Sequence, residues 1–170
     1  MRAEDLRALQ APLKEQYRTE PGRALVTLTA SGRLDETAIS CRVDTGRALV
    51  AAGLHPATGG TGLEACSGDM LLQALVACAG VTLRAVATAL ALPVRGGVVR
   101  AEGDLDFRGT LGVSKEAPVG FRAIRLRFEL EGDATPEQLD TLIRLTERYC
   151  VVLQTLRGAP PVGVEVAARP

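Results

Sequence analysis

Met70–Leu92 constrains this chain more than any other segment, because apolar side chains surround it on nearly every side. At helical spacing Leu71, Leu72, Leu75, Val76, Val81, Leu83, Val86 and Leu90 leave no clear polar face, and Pro93 stops the run. A helix of that kind is buried, in a core or beneath a partner subunit. Ala74, Ala77, Ala79 and Gly80 are small enough to admit another backbone at close range. Ser67 or Asp69 stands where a helix cap is expected. The longest apolar run inside it, Met70–Val81, includes Gln73 and is soon followed by Arg84. That run falls short of the roughly 20 residues a bilayer span needs.

The rest of the chain supplies strands for this helix to pack on. Before it, Ala24–Ala30, Glu36–Arg42 and Arg47–Gly53 read as a three-stranded meander, with turns at Ser31-Gly32 and Asp44-Thr45-Gly46. After it come a strand over Val98–Phe107 and a turn-rich stretch, Gly109–Gly120. In FRAIRLRFELEG, Leu126, Phe128 and Leu130 alternate with Arg125, Arg127, Glu129 and Glu131, the pattern of a half-buried antiparallel strand. Thr135-Pro136-Glu137-Gln138 is a capping box that opens a helix reaching Tyr149-Cys150. A second apolar turn, Val151–Leu156, ends at Gly158, and Val162, Val164 and Val166 alternate in a closing strand. Leu6, Leu9 and Leu13 form a helical pattern in an N-terminal arm over residues 1–20. The order defines an α+β chain forming one domain over residues 1–170.

Composition removes several functions. Twenty basic and twenty acidic side chains give a net charge of +0, so the chain carries no electrostatic footprint for nucleic acid or an anionic membrane. Aromatic residues make up 3%, too few for a base-stacking platform. The N-terminus is charged throughout and lacks a secretory pattern, which leads us to expect a cytoplasmic protein. The loop His55–Gly68 contains GGTG but not the spacing of a phosphate-binding loop.

Chemistry therefore falls to sulfur. Cys41, Cys66, Cys78 and Cys150 are too widely separated, and accompanied by too little histidine, for a zinc signature, and no metal is expected. His55 is the sole histidine and sits in a Pro/Gly loop, where a structural role precedes a catalytic one. Free cysteines commonly just fill space. That reading holds for Cys41 and Cys66, and on the residues alone it stays open for Cys78 and Cys150.

A family likeness bears on that choice. SGDMLLQALVACAGVTLRAVA, followed 72 positions after Cys78 by TERYCVVLQTL, resembles the OsmC/Ohr family of organic hydroperoxide resistance proteins, from about Val26 to Val166. The resemblance implies an intertwined α+β homodimer, with the long central helix buried at its centre on antiparallel strands. It implies a peroxidatic thiol at Cys78 and a resolving thiol at Cys150. It also implies an arginine from the N-terminal strands, Arg33 ahead of Arg23, held by an acid at Asp69. A continuous helix sets Asp69 about 13 Å from Cys78, so the acid would act only through such an arginine.

The implied activity is a thiol peroxidase for organic hydroperoxides, with no bound cofactor and with electrons from an external dithiol, possibly of lipoyl type. Apolar surroundings at Cys78 would favour alkyl or lipid hydroperoxides over hydrogen peroxide. Many peroxidase members carry Cys-Pro where this chain has Cys150-Val151, and ERYCVV is more similar to the less characterised OsmC-like branch. The alternative is a non-enzymatic dimer that binds a hydrophobic small molecule in an apolar crevice.

Overall fold

The computed structural model describes residues 2–5, 8, 10, 11, 19, 31–34, 40–44, 49–112 and 114–167. The described residues form two sheets and a long helix. The first has the order β1 (Ser31–Leu34), β2 (Ser40–Asp44), β3 (Leu49–Gly53) and β4 (Ala65–Cys66). Its first three strands are antiparallel, and β4 adds a short parallel pairing to β3 through Ala52↔Ala65 and Gly53↔Cys66. A meander is therefore present, but shifted from its expected register. Ser31-Gly32 is not a turn: it opens β1, where Ser31 pairs with Asp44 and Gly32 with Val43. Four ladder pairs outweigh the turn preference of a Ser-Gly dipeptide that can also extend. The expected strand at Ala24–Ala30 and the leucines of the N-terminal arm lie outside the described residues, although residues 3–5, 8, 10 and 11 are helical.

Helix α1 spans Ser67–Ala89. It starts earlier than its apolar pattern and carries neither expected cap. Cys66 is the N-cap without a side-chain hydrogen bond, and Asp69 lies within the first turn, where a carboxylate complements the helix dipole. The pairing of β4 keeps the chain extended up to Cys66, so the helix begins at once after it. At the other end Ala91 adopts φ 50, and the Leu92 N–H returns to Ala87 O at 2.9 Å before Pro93.

The second sheet pairs β5 (Val94–Leu105) with β6 (Phe121–Gly132), and a short helix, α2 (Phe107–Thr110), lies in their connection. β6 alternates as its sequence predicts: Ile124, Leu126, Phe128 and Leu130 face inward, while Arg125 and Arg127 pair with acids on the outer face. Gly132, at φ 148, closes the ladder where a Cβ would strike the Pro93 carbonyl. The capping box forms, with Thr135 and Gln138 bonded reciprocally at the start of α3 (Pro136–Tyr149). α4 (Val151–Gly158) follows directly.

α1 packs against β5, α3 and α4. It buries one stripe, Leu75, Ala79, Leu83 and Ala87, and leaves Val81 72% exposed. One protomer thus covers a single face of a helix that has apolar residues on several. At 23 residues α1 is long and apolar enough to cross a membrane, which overturns the length argument drawn from Met70–Val81. Its buried stripe against three elements is the packing of a core helix. The expected closing strand is absent: residues 160–167 have no regular structure, and Val166 is 91% exposed. Among the described residues neither sheet pairs with this segment, so its alternating pattern finds no ladder to join there.

Candidate active site

Helix packing brings Cys78 and Cys150 together. Cys78 lies half-buried near the middle of α1, between the buried Leu75 and Ala79. Cys150 is 0% exposed and serves as both C-cap of α3 and N-cap of α4. Its N–H bonds to Thr146 O at 2.9 Å, and its carbonyl accepts from Gln154 N at 2.9 Å. Both thiols belong to one apolar cluster with Leu75, Ala79, Val152 and Leu153, floored by Ile124, Leu126 and Phe128 of the second sheet.

The junction between α3 and α4 sets the electrostatics. The first N–H groups of a helix have no partner within it. Cys150 offers α4 no side-chain cap, so these donors remain available to a neighbour. Burial pushes the Cys78 thiol up, but donors outweigh it: the Val152 N–H, the Cys150 thiol, the Val151 N–H and the Thr82 hydroxyl hold Cys78 below the ordinary thiol value. Cys150 moves oppositely. Burial raises it first, the Leu153 N–H works against that, and the neighbouring Cys78 raises it further. The pair is thus split into a thiol that ionises early and one that keeps its proton. A thiolate is the nucleophilic form of cysteine, and of the two thiols Cys78 is the one shifted toward it.

The other sequence candidates are placed elsewhere or lie beyond description. Arg33 sits in β1 opposite Arg42, in a strand and not in a turn, and its side chain is outside the described residues, as is Arg23. Asp69 is exposed at the opposite end of α1's first half and lines a cleft of about 370 Å³ with His55, Cys66, Leu72 and Phe107. The described residues do not bring it to Cys78. His55 has a structural role: its Nδ1 accepts from Ala57 N at 3.0 Å, and its ring stacks on Phe107 with centroids 4.9 Å apart. Cys66 is a free thiol at the N-cap of α1, and Cys41 pairs with Ala52 in β2. Among the described residues no group of three or more His, Cys, Asp or Glu side chains could hold a metal ion.

Sequence reasoning missed the donors. It sought a cation for Cys78 and overlooked that a helix starting at Val151 presents bare N–H groups beside Cys150. The signal was available, since a cysteine wedged between a capped helix and a second apolar turn must end one and begin the other.

An α+β fold built on a long central helix, with one cysteine on that helix and another at a helix junction, defines a class. The profile of OsmC-like proteins matches residues 60–165, and the chain belongs to this family. No curated protein matches it. Among solved structures it is similar to an OsmC-like protein from Mycoplasma pneumoniae, with 17% identity, a TM-score of 0.65, and coverage of 78% of this chain and 89% of that one. It is also similar to an organic hydroperoxide resistance protein from Legionella pneumophila, with 17% identity, a TM-score of 0.61, and coverage of 79% and 91%. An OsmC-like protein of unknown function from Vibrio cholerae shares the fold at 14% identity and a TM-score of 0.56, with coverage of 77% and 94%. At these identities the likeness establishes the fold, and the family includes proteins named for organic hydroperoxide resistance.

Proposed function

We propose that this protein is a thiol peroxidase that reduces organic hydroperoxides through Cys78 and Cys150. The observation that carries the reading is the opposed pair: two thiols in one apolar cluster, Cys78 held low and Cys150 pushed up. The Cys78 thiolate attacks one peroxide oxygen and breaks the O–O bond. The departing alkoxide takes a proton and leaves as an alcohol, and Cys78 becomes a sulfenic acid. The Cys150 sulfur then attacks the Cys78 sulfur, water leaves, and a Cys78–Cys150 disulfide forms. An external dithiol, by family likeness of lipoyl type, reduces it and becomes a cyclic disulfide.

Arg33, oriented by Asp69, belongs to this reading as a further cation for the thiolate, added to the donors of α4. Arg33→Ala should then slow Cys78 alkylation at neutral pH, and an unchanged rate removes Arg33 from the site. The working form is a homodimer that covers the open faces of α1, in a reducing compartment such as the cytoplasm.

One equivalent of cumene hydroperoxide, added to the reduced protein and followed by mass, tests the reaction. Loss of two thiols to a Cys78–Cys150 bond supports it. Unchanged thiols with a co-purifying lipid would favour the second reading, a binder of hydrophobic small molecules. Its supporting observation is a cavity of about 420 Å³ lined by Leu54, Leu71, Leu105, Phe107, Val119 and Phe121, away from the two thiols.

A further inference from the structure

A cavity of about 380 Å³ between β6 and α4 has no part in the reading above. Leu75, Ile124, Leu126, Phe128, Leu153 and Leu156 line it, and the same six residues belong to the cluster that holds the two thiols. No residue of β5 lines it, so it runs along the edge of β6 that faces away from β5. Among the described residues that edge has no strand beside it. Such an edge carries bare N–H and C=O groups and accepts an added strand.

Val162, Val164 and Val166 have the complementary defect. They alternate with Gly163 and Glu165 as a strand does, yet stand 84%, 86% and 91% exposed. Laid along β6, all three valines would share the face of Ile124, Leu126 and Phe128, because both segments have a period of two. Glu165 would take the outer face. Between Phe121 and Phe128, β6 carries Arg122, Arg125 and Arg127 and no acid, so the charges match.

The chain's own tail leaves α4 on the wrong side to fill this cavity. Leu153, Leu156 and Arg157 line it, whereas Val151, Thr155, Gly158 and Pro160 line a separate groove. At about 100° per residue the two sets of α4 residues occupy opposite faces of the helix. Ala159 at φ 40 and the stiff Pro160-Pro161 pair fix that exit. The segment that fits the edge therefore comes from another molecule.

We propose that residues 162–166 of a second copy add as a strand to the open edge of β6, with their valines seated in this cavity and the exchange made reciprocally. The partner's segment then completes the wall of the thiol cluster. The inference does not rest on the peroxidase reading, and a dimer formed through α1 alone would not produce it.

Hydrogen–deuterium exchange of the full-length protein, read by peptide mass at rising concentration, tests this, with light scattering on the same samples. In the dimer, residues 162–166 and 121–128 should exchange about tenfold more slowly than after dilution to monomer, the upper scale of one net hydrogen bond. Val164→Asp should abolish the protection of both segments, and Val164→Ile should keep it. In both variants α3 should exchange as in the wild type, since position 164 is exposed on the protomer. A tail that exchanges freely in the dimer overturns the proposal, and so does a protein that is monomeric at every concentration. Protection that persists in the monomer also overturns it, because the chain's own tail would then be the occupant. Protection that survives Val164→Asp overturns it as well, because the valines would not be seated in the cavity.

Discussion

The backbone N–H of Val152 works against burial to lower the Cys78 thiol, although the two residues belong to different helices. It lies in the first turn of α4, where amide groups have no carbonyl of their own helix to bond. The thiol of one helix thus uses the bare end of another, and the pH behaviour of the site follows from that contact.

Cys78 should alkylate at pH values where ordinary thiols are still protonated, with Cys150 lagging behind it. Peptide-resolved alkylation across pH checks the order, and simultaneous modification would contradict it. The sign for stability follows from linkage. Because the folded Cys78 is lowered, its contribution is complete above the ordinary thiol value and fades as pH falls through the folded value. The stability gap between wild type and Cys78→Ala, from urea unfolding, should therefore widen with rising pH and then level off. Cys150 is raised and acts oppositely, with its contribution lost as pH rises past the ordinary value.

Oxidation should stabilise the fold. A Cys78–Cys150 bond closes a loop of 72 positions, and loop-closure entropy for that length corresponds to about 4 kcal/mol. Calorimetry on oxidised and reduced protein checks this. An oxidised form that melts lower would mean that the bond strains the junction of α3 and α4.

Thr146→Val should be neutral or stabilising by about 1 kcal/mol, because the hydroxyl it removes is buried and unpartnered. Urea unfolding at neutral pH measures it. A loss of 2 kcal/mol or more, on the scale of a broken buried hydrogen bond, would show that the hydroxyl has a partner in solution.

Val81→Glu distinguishes a protomer from a dimer. On the protomer Val81 is 72% exposed, and an exposed substitution costs under about 0.5 kcal/mol. In a dimer that covers α1, the same carboxylate would be buried against the partner. Light scattering should show a dimeric wild type and a monomeric variant, and an unaffected assembly would place the interface elsewhere.

Much of the fold was legible where period and chemistry agreed. The alternation from Ile124 to Leu130 identified β6, and Thr135 with Gln138 marked the start of α3, because both signals are local. Signals that need a partner failed. Val162, Val164 and Val166 carry a strand pattern, but a pattern cannot name the edge it pairs with. Ser31-Gly32 looked like a turn because the ladder to Asp44 and Val43 is invisible in the dipeptide. The two thiols were paired by likeness to a family, since 72 intervening positions say nothing about distance. The donors at Val151 and Val152 went unnoticed because backbone groups leave no letter in a sequence.

Because Cys150 terminates α3 and initiates α4 in a single residue, the second sulfur has almost no freedom to wander. A sulfenic acid formed at Cys78 would therefore arise already touching the group that captures it. Capture would require only the time of a side-chain rotation, and not the melting of a helix. A second peroxide molecule would have to arrive within that interval to drive Cys78 onward to the irreversible sulfinic state. If the protein is a peroxidase, the helix junction would act as a kinetic safeguard against over-oxidation, and the pair should survive bursts of oxidant that inactivate a solitary thiol.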